Sequence, residues 1–135
     1  IKNIFDIAGR AMAAQMVRLN TISSNLANAG ATTGDPETVY KPLKPEFKTQ
    51  YSENVKKNGI STVNVSKVVE LQKEPFKIFD PNHPLADGDG YIYKAPINVE
   101  EEMVDMMDAS RQYQNNIEVV TTLKALTLRT INLGK

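Results

Sequence analysis

The sequence predicts an α+β fold: long N- and C-terminal helices forming a coiled-coil-like α-domain, with a small β-rich middle segment. Three observations lead there. Apolar residues recur at helical spacing near both ends of the chain. All seven prolines fall between those two stretches. Within that middle the apolar pattern shortens to alternation, the spacing of a strand with one buried face. The expected division is therefore residues 1–30 and 98–135 as one helical domain, and residues 31–97 as a segment of short strands and Pro/Gly turns.

The first helix is expected over residues 3–28. At about 100° per residue, Ile4, Phe5, Ala8, Ala11, Met12, Met16, Leu19, Ile22 and Leu26 share a broad face. Asp6, Arg10, Asn20 and Ser24 lie opposite. Within the face, Phe5, Ala8, Met12, Gln15, Leu19, Ile22 and Leu26 alternate three- and four-residue steps, as in a coiled coil, with Gln15 the polar member. Asn3 is expected to cap the start, with Asp6 three positions later, and Gly30 to stop the helix.

The second helix is expected over residues 99–133, after Pro96. Asn98 and Glu101 have capping-box spacing, and Glu100, Glu101 and Glu102 place negative charge at the positive end of the helix dipole. Val99, Met103, Met106, Ser110, Tyr113, Ile117 and Val120 keep the three/four alternation. Further on the pattern widens, with Ile117, Val120, Leu128 and Ile131 on one side and Val119, Leu123, Leu126 and Leu133 on another. A helix apolar on two sides needs neighbours on two sides.

Between the helices, residues 61–69, 76–79 and 91–93 are strand candidates. Asp80-Pro81-Asn82-His83-Pro84 and Asp87-Gly88-Asp89-Gly90 are turns. This middle is poor in large apolar side chains, whereas helices of the expected lengths would measure about 39 Å and about 52 Å. It cannot wrap them. Each large apolar side chain left in water costs roughly 1.5–3 kcal/mol, so folding is expected to be coupled to association.

Composition narrows the function classes. Sixteen basic and sixteen acidic residues give zero net charge in 135 residues. That disfavours a general nucleic-acid binder or a polybasic membrane-surface protein, and suits a subunit packed beside copies of itself. The absence of cysteine removes disulfide scaffolds, thiolate zinc sites and cysteine nucleophiles. Arg10 and Arg18 interrupt the apolar runs near the start, so no cleavable signal is expected, and no stretch reaches the about 18 apolar residues of a membrane span.

No constellation of acid, base or metal ligands emerges, so neither catalysis nor a cofactor is expected. His83 is the only histidine, and between Asn82 and Pro84 it is expected to be a turn residue. Asp87-Gly88-Asp89-Gly90 resembles part of a calcium loop, but aligning Gly90 with the loop's invariant glycine puts Pro96 where the bidentate glutamate belongs. Adjacent glutamates at 100–102 point apart on a helix. Ser23, Ser24 and Asn25 sit late in a helix with no base nearby in sequence, and are expected to hydrogen-bond between helices. The five methionines are adaptable packing.

Specific residues then decide between a closed domain and an assembly subunit. Ser23-Ser24-Asn25-Leu26-Ala27-Asn28-Ala29, after an amphipathic helix, resembles the signature of flagellar rod, hook and hook-associated proteins. Asn3-Ile4-Phe5-Asp6-Ile7-Ala8-Gly9 resembles the opening of the proximal-rod members. So do Asn82-His83-Pro84-Leu85-Ala86-Asp87 with Gly90-Tyr91, Glu102-Met103-Val104, Ala109-Ser110-Arg111-Gln112-Tyr113-Gln114, Glu118-Val119 and Leu133-Gly134-Lys135. Two departures exist. Thr33-Gly34 leads into Asp35-Pro36, with Tyr40 later, where the wider family often reads Thr-Gly-Tyr, and Asn115 replaces a common alanine.

The resemblance implies a non-enzymatic structural subunit of the basal-body rod. It implies export through the flagellar type III apparatus and assembly in the periplasm with copies of itself and other rod proteins. The terminal helices would form the axial core domain lining the channel. On this reading the subunit interface comprises Phe5, Met12, Gln15, Leu19, Ile22, Leu26, Met103, Met106, Ser110, Tyr113, Ile117, Val120, Leu123 and Leu126, with Gln15, Ser110 and Tyr113 setting register. Leu26→Asp is expected to abolish assembly. The alternative is a secreted coiled-coil adaptor forming a finite complex with one partner helix.

Overall fold

The computed structural model describes residues 2–50 and 62–134. Helix α1 spans Lys2–Asn28 and helix α2 spans Val99–Leu133, matching the two periodic stretches. Between them lie β1 (Thr32–Thr33), a 3-10 turn (Pro36–Thr38), β2 (Leu43–Gln50), β3 (Thr62–Glu70), β4 (Phe76–Phe79) and β5 (Tyr91–Lys94). The strands expected at 61–69, 76–79 and 91–93 correspond to β3, β4 and β5, although Ser61 lies outside the described residues. The architecture is α+β.

Helix ends follow local chemistry, with two corrections. Asn98 caps α2, its side-chain oxygen accepting the Glu101 N–H at 3.2 Å, as the spacing predicts. Asn3, expected as the cap of α1, instead lies inside the helix. Gly30 does not stop α1 by a left-handed glycine, since Gly90 is the only described residue with positive φ. The helix closes at Asn28 through Ala29 N–H to Leu26 O (3.3 Å) and Ala31 N–H to Asn28 O (3.1 Å).

The strands make two separate antiparallel sheets. One has the order β1-β5-β4; the other is the two-stranded ribbon β2-β3. Strand β2 escapes the sequence reading because Pro42 and Pro45 flank and interrupt it. In a two-stranded ribbon each strand has an open edge, where a missing N–H is tolerated. Pro45 sits opposite Val68. Further along, Glu46 pairs with Lys67 but Phe47 with Val65, so Ser66 is the extra residue of a bulge.

The helices pack antiparallel: Asn25 of α1 reaches Glu102, near the start of α2, and Arg18 reaches Asp105 and Asp108 further along it. The β2-β3 ribbon lies against α1. A small core of Val39, Ala95 and Ile97, joined by Ala29, Tyr40 and Tyr93, sits where the C-terminal end of α1, the 3-10 turn and the entry to α2 converge. Among the described residues the buried hydrophobics are Ala8, Ala14, Ile22, Val39, Ile92, Ala95, Ile97 and Ala109, half of them alanine. That core is thin for the helices it must hold.

Candidate assembly interface

The family-type motif Ser24-Asn25-Leu26-Ala27-Asn28 forms a latch within the chain. Asn25 is buried, and its Oδ1 accepts both the Leu43 N–H (2.8 Å) and the Tyr40 hydroxyl (3.0 Å). Its Nδ2 donates to Leu43 O (3.0 Å) and to the Glu102 carboxylate (3.4 Å). One side chain thus mimics a strand partner for Leu43 while touching both helices. The Tyr40 proton goes to Asn25, so Ser24 Oγ donates to the Tyr40 oxygen at 2.8 Å. Asn28 closes the turn by donating to Ser24 O (2.8 Å). The bond expected between the helices is therefore one arm of four; the others run to Tyr40 and to Leu43 at the start of β2. Tyr40, the late tyrosine of the departing 33–40 stretch, is the residue that meets the motif.

Burial pushes the Glu102 carboxyl above its ordinary range, with the Asn25 amide opposing. It is the half-buried member of the three glutamates, and dipole complementarity alone does not describe it.

A second fixed point is the turn before β5. Asp87 Oδ1 accepts the N–H groups of Asp89 (3.0 Å) and Tyr91 (2.8 Å), and Oδ2 accepts the Tyr93 hydroxyl (3.2 Å). The Tyr91 amide, helped by Asp89 and Tyr93, holds the Asp87 carboxyl below its ordinary range against the effect of burial. The carboxylate is saturated by its own turn. His83 Nδ1 accepts the Leu85 N–H at 3.0 Å, a turn role as expected. Gly90 has φ of 86°, and a Cβ there would lie 3.0 Å from both Phe79 and Pro81 side chains. Gly34 packs against the Leu85 carbonyl, where a Cβ would collide, so the 31–38 stretch is docked onto this turn.

The helical surfaces are the candidate interface. Of the residues expected there, Ile22 is buried; Phe5, Met12, Gln15, Leu19, Leu26, Met106, Ser110, Tyr113, Val120 and Leu123 are half-buried; Met103, Ile117 and Leu126 are exposed. Gln15 Oε1 is buried without a hydrogen-bond partner among the described residues. On α2 the stripe turned inward is Glu102, Met106, Ala109, Tyr113, Asn116, Val120, Leu123 and Thr127. Its mean direction is rotated by roughly 60° from the line of Val99, Met103, Met106, Ser110, Tyr113, Ile117 and Val120 that the spacing singles out. Of that line Met106, Ser110, Tyr113 and Val120 are half-buried, whereas Val99, Met103 and Ile117 face solvent within one chain.

The exposed apolar surface is extensive. Met103, Val104 and Met107 are 53%, 64% and 65% exposed near the start of α2, and Leu126, Leu128, Ile131 and Leu133 are 53% to 88% exposed near its end. Phe76, Ile78 and Phe79 on the edge strand β4 are exposed too. No helix among the described residues is long and apolar enough to cross a membrane. Large exposed apolar patches mark association surfaces.

Two long paired helices, a small hydrogen-bonded hub and uncovered apolar stripes define the class: a structural subunit of a larger assembly. The family described as "Flagella basal body rod protein" matches residues 5–34, and "Flagellar basal body rod FlgEFG protein C-terminal" matches residues 89–133. The chain is 43% identical to the flagellar basal-body rod protein FlgC of Salmonella typhimurium, over 98% of this chain and 97% of that protein. It is 41% identical to FlgC of Escherichia coli O157:H7 and 39% identical to FlgC of Yersinia enterocolitica, over the same shares. This chain belongs to the FlgC family of flagellar basal-body rod proteins. Its function is that of a structural rod subunit.

Proposed function

We propose that this chain is exported through the flagellar type III apparatus and built into the rod in the periplasm, beside copies of itself and other rod proteins. On this reading α1 and α2 form the axial core around the channel, and the β-rich middle faces outward to neighbouring subunits. The supporting observation is that the stripe carrying Met103, Ile117 and Leu128 is exposed although it has core-like spacing. A neighbour's helix covers it. Gln15, Ser110 and Tyr113 then set register among the half-buried positions, a polar group at such a seam discriminating against slipped pairings.

The test uses Ile117→Asp. Because Ile117 is 41% exposed, the substitution leaves the monomer's fold within about 0.5 kcal/mol of wild type. In cells lacking the native subunit it is expected to be exported but to fail to restore motility. Normal motility would remove Ile117 from the interface and undercut the reading. Leu26→Asp is a poorer probe, because half-buried Leu26 mixes folding with assembly.

A further inference from the structure

Strand β4 is the edge of its sheet, paired to β5 on one side and open on the other. All its residues are exposed, Phe79 to 63%. The register shows which backbone groups that edge presents. Asp80 N–H donates to Gly90 O at 2.9 Å, and Ile78 stands opposite Ile92 and Phe76 opposite Lys94. Bonded positions alternate in an antiparallel pair, so Phe76, Ile78 and Asp80 turn their backbone groups to β5. The N–H and C=O of Lys77 and Phe79 therefore point outward, and no backbone partner meets them there among the described residues. A lysine commonly guards such an edge, but Lys77 is drawn aside, its Nζ 4.1 Å from the centre of the Tyr91 ring.

Two prolines frame this edge symmetrically. Pro75 and Pro81 stand three residues to either side of Ile78, and neither has an N–H to donate. A second β4 laid antiparallel on the first has one register that suits both strands. With Ile78 facing Ile78, Lys77 of each copy falls opposite Phe79 of the other, and every outward N–H and C=O finds a partner. A slip of one residue sets outward groups against groups already bonded to β5. A slip of two sets Lys77 against Lys77 and Phe79 against Pro75, or Phe79 against Phe79 and Lys77 against Pro81. Either slip loses bonds at a proline, and the first also opposes like charges. The edge is complementary to itself.

We propose that β4 pairs with β4 of a second copy of this chain about a two-fold axis at Ile78, joining two three-stranded sheets into one continuous sheet. The contact is isologous and closes after two copies, so it is separate from assembly through the helices and does not rest on the rod-subunit reading. Main-chain bonding holds the strands together, and the proline frame fixes their register. The edge is short, so the dimer is weak and forms at high protein concentration.

Position 79 tests it on the full chain. Phe79→Lys sets like charges opposite each other, against Lys77 of the second copy, whereas Phe79→Glu sets opposite charges there. Both lose the same ring and its edge contact with Tyr91, and both leave the helices untouched, so the difference between them reports on β4. Self-association is followed by sedimentation velocity at low salt, with circular dichroism checking that the fold is kept. The wild type is expected to reach a monomer–dimer equilibrium. Phe79→Lys is expected to dimerise about tenfold or more weakly than Phe79→Glu, a gap that narrows at high salt. Adding Lys77→Glu to Phe79→Lys restores opposite signs and is expected to recover the Phe79→Glu level. Amide exchange followed by NMR reads the edge directly. The Lys77 and Phe79 N–H groups are expected to slow as concentration rises, while Ile78, bonded to β5, stays slow throughout. Equal association of Phe79→Lys and Phe79→Glu, no recovery in the double variant, or exchange at Lys77 and Phe79 independent of concentration overturns the pairing. A wild type that stays monomeric overturns the second copy as occupant and leaves the edge to a strand of another protein. None of these outcomes bears on the rod reading, which Ile117→Asp tests separately.

Discussion

Two side chains show how much a single residue carries. Asn25 satisfies both backbone groups of Leu43 and takes the Tyr40 proton. Asn25→Ala leaves these groups unpaired in a half-buried setting, and is expected to cost about 2–4 kcal/mol in urea unfolding of the monomer. A loss under about 0.5 kcal/mol would mean that water replaces the latch. Asp87 acts through charge. The Tyr91 amide holds its folded pKa below that of an ordinary aspartate, so its contribution is fully present above the ordinary value and is lost as pH falls through the folded pKa. Asp87→Asn should therefore lower the melting temperature at pH 7, and the gap to wild type should shrink below about pH 4. A gap independent of pH would show that geometry, not ionisation, is what the turn needs. The motif residues were visible in the sequence, but their role was not. Asn25 was expected to bond between helices, because nothing in linear order reveals that Leu43 and Tyr40 fold back onto it.

At the scale of elements, both helices were legible because strong periodicity runs through 27 residues of α1 and 35 of α2. Strand β2 was not, since Pro45 argues against a strand unless the strand has an open edge. Spacing alone does not single out the inward phase of α2, for a related reason. Spacing ranks residues by hydrophobicity, and an assembly helix carries apolar residues both inside and outside its own chain. Ala109, fully buried, marks the inward side although its methyl barely registers in any apolar pattern, while Met103 and Ile117 mark the outer side. Ala109→Leu is thus expected to destabilise the monomer by about 1–3 kcal/mol through overpacking. Met107→Ser, at a position 65% exposed, should stay within about 0.5 kcal/mol. Equal effects from the two substitutions in denaturant titrations would contradict the helix phase described here.

The whole molecule exposes more surface than a closed protein of its mass. Its accessible area is 9630 Å² at 15.0 kDa, against roughly 7000 Å² for a compact monomer of that mass. The excess and the alanine-rich core have one physical meaning: much of the stabilising burial belongs to contacts with other subunits. Stability should then be uneven along the isolated chain. The hub of Val39, Ala95 and Ile97 is buried and joined through Tyr40 and Tyr93 to the Asn25 and Asp87 networks, whereas every large aliphatic of α2 beyond Leu123 is exposed. Amide hydrogen exchange on dilute, demonstrably monomeric protein is expected to show slow exchange at the hub. Fast exchange is expected in the last turns of α2 and toward the start of α1, because a helix with an uncovered apolar face opens at little cost. Assembled rods should protect those same turns. Uniform protection of α2 in the monomer would mean that its exposed leucines are stable in water without neighbours, and coupled folding would have to be given up. Fast exchange confined to its last turns would instead place the end of α2 among the segments that become ordered only when a partner covers their apolar face.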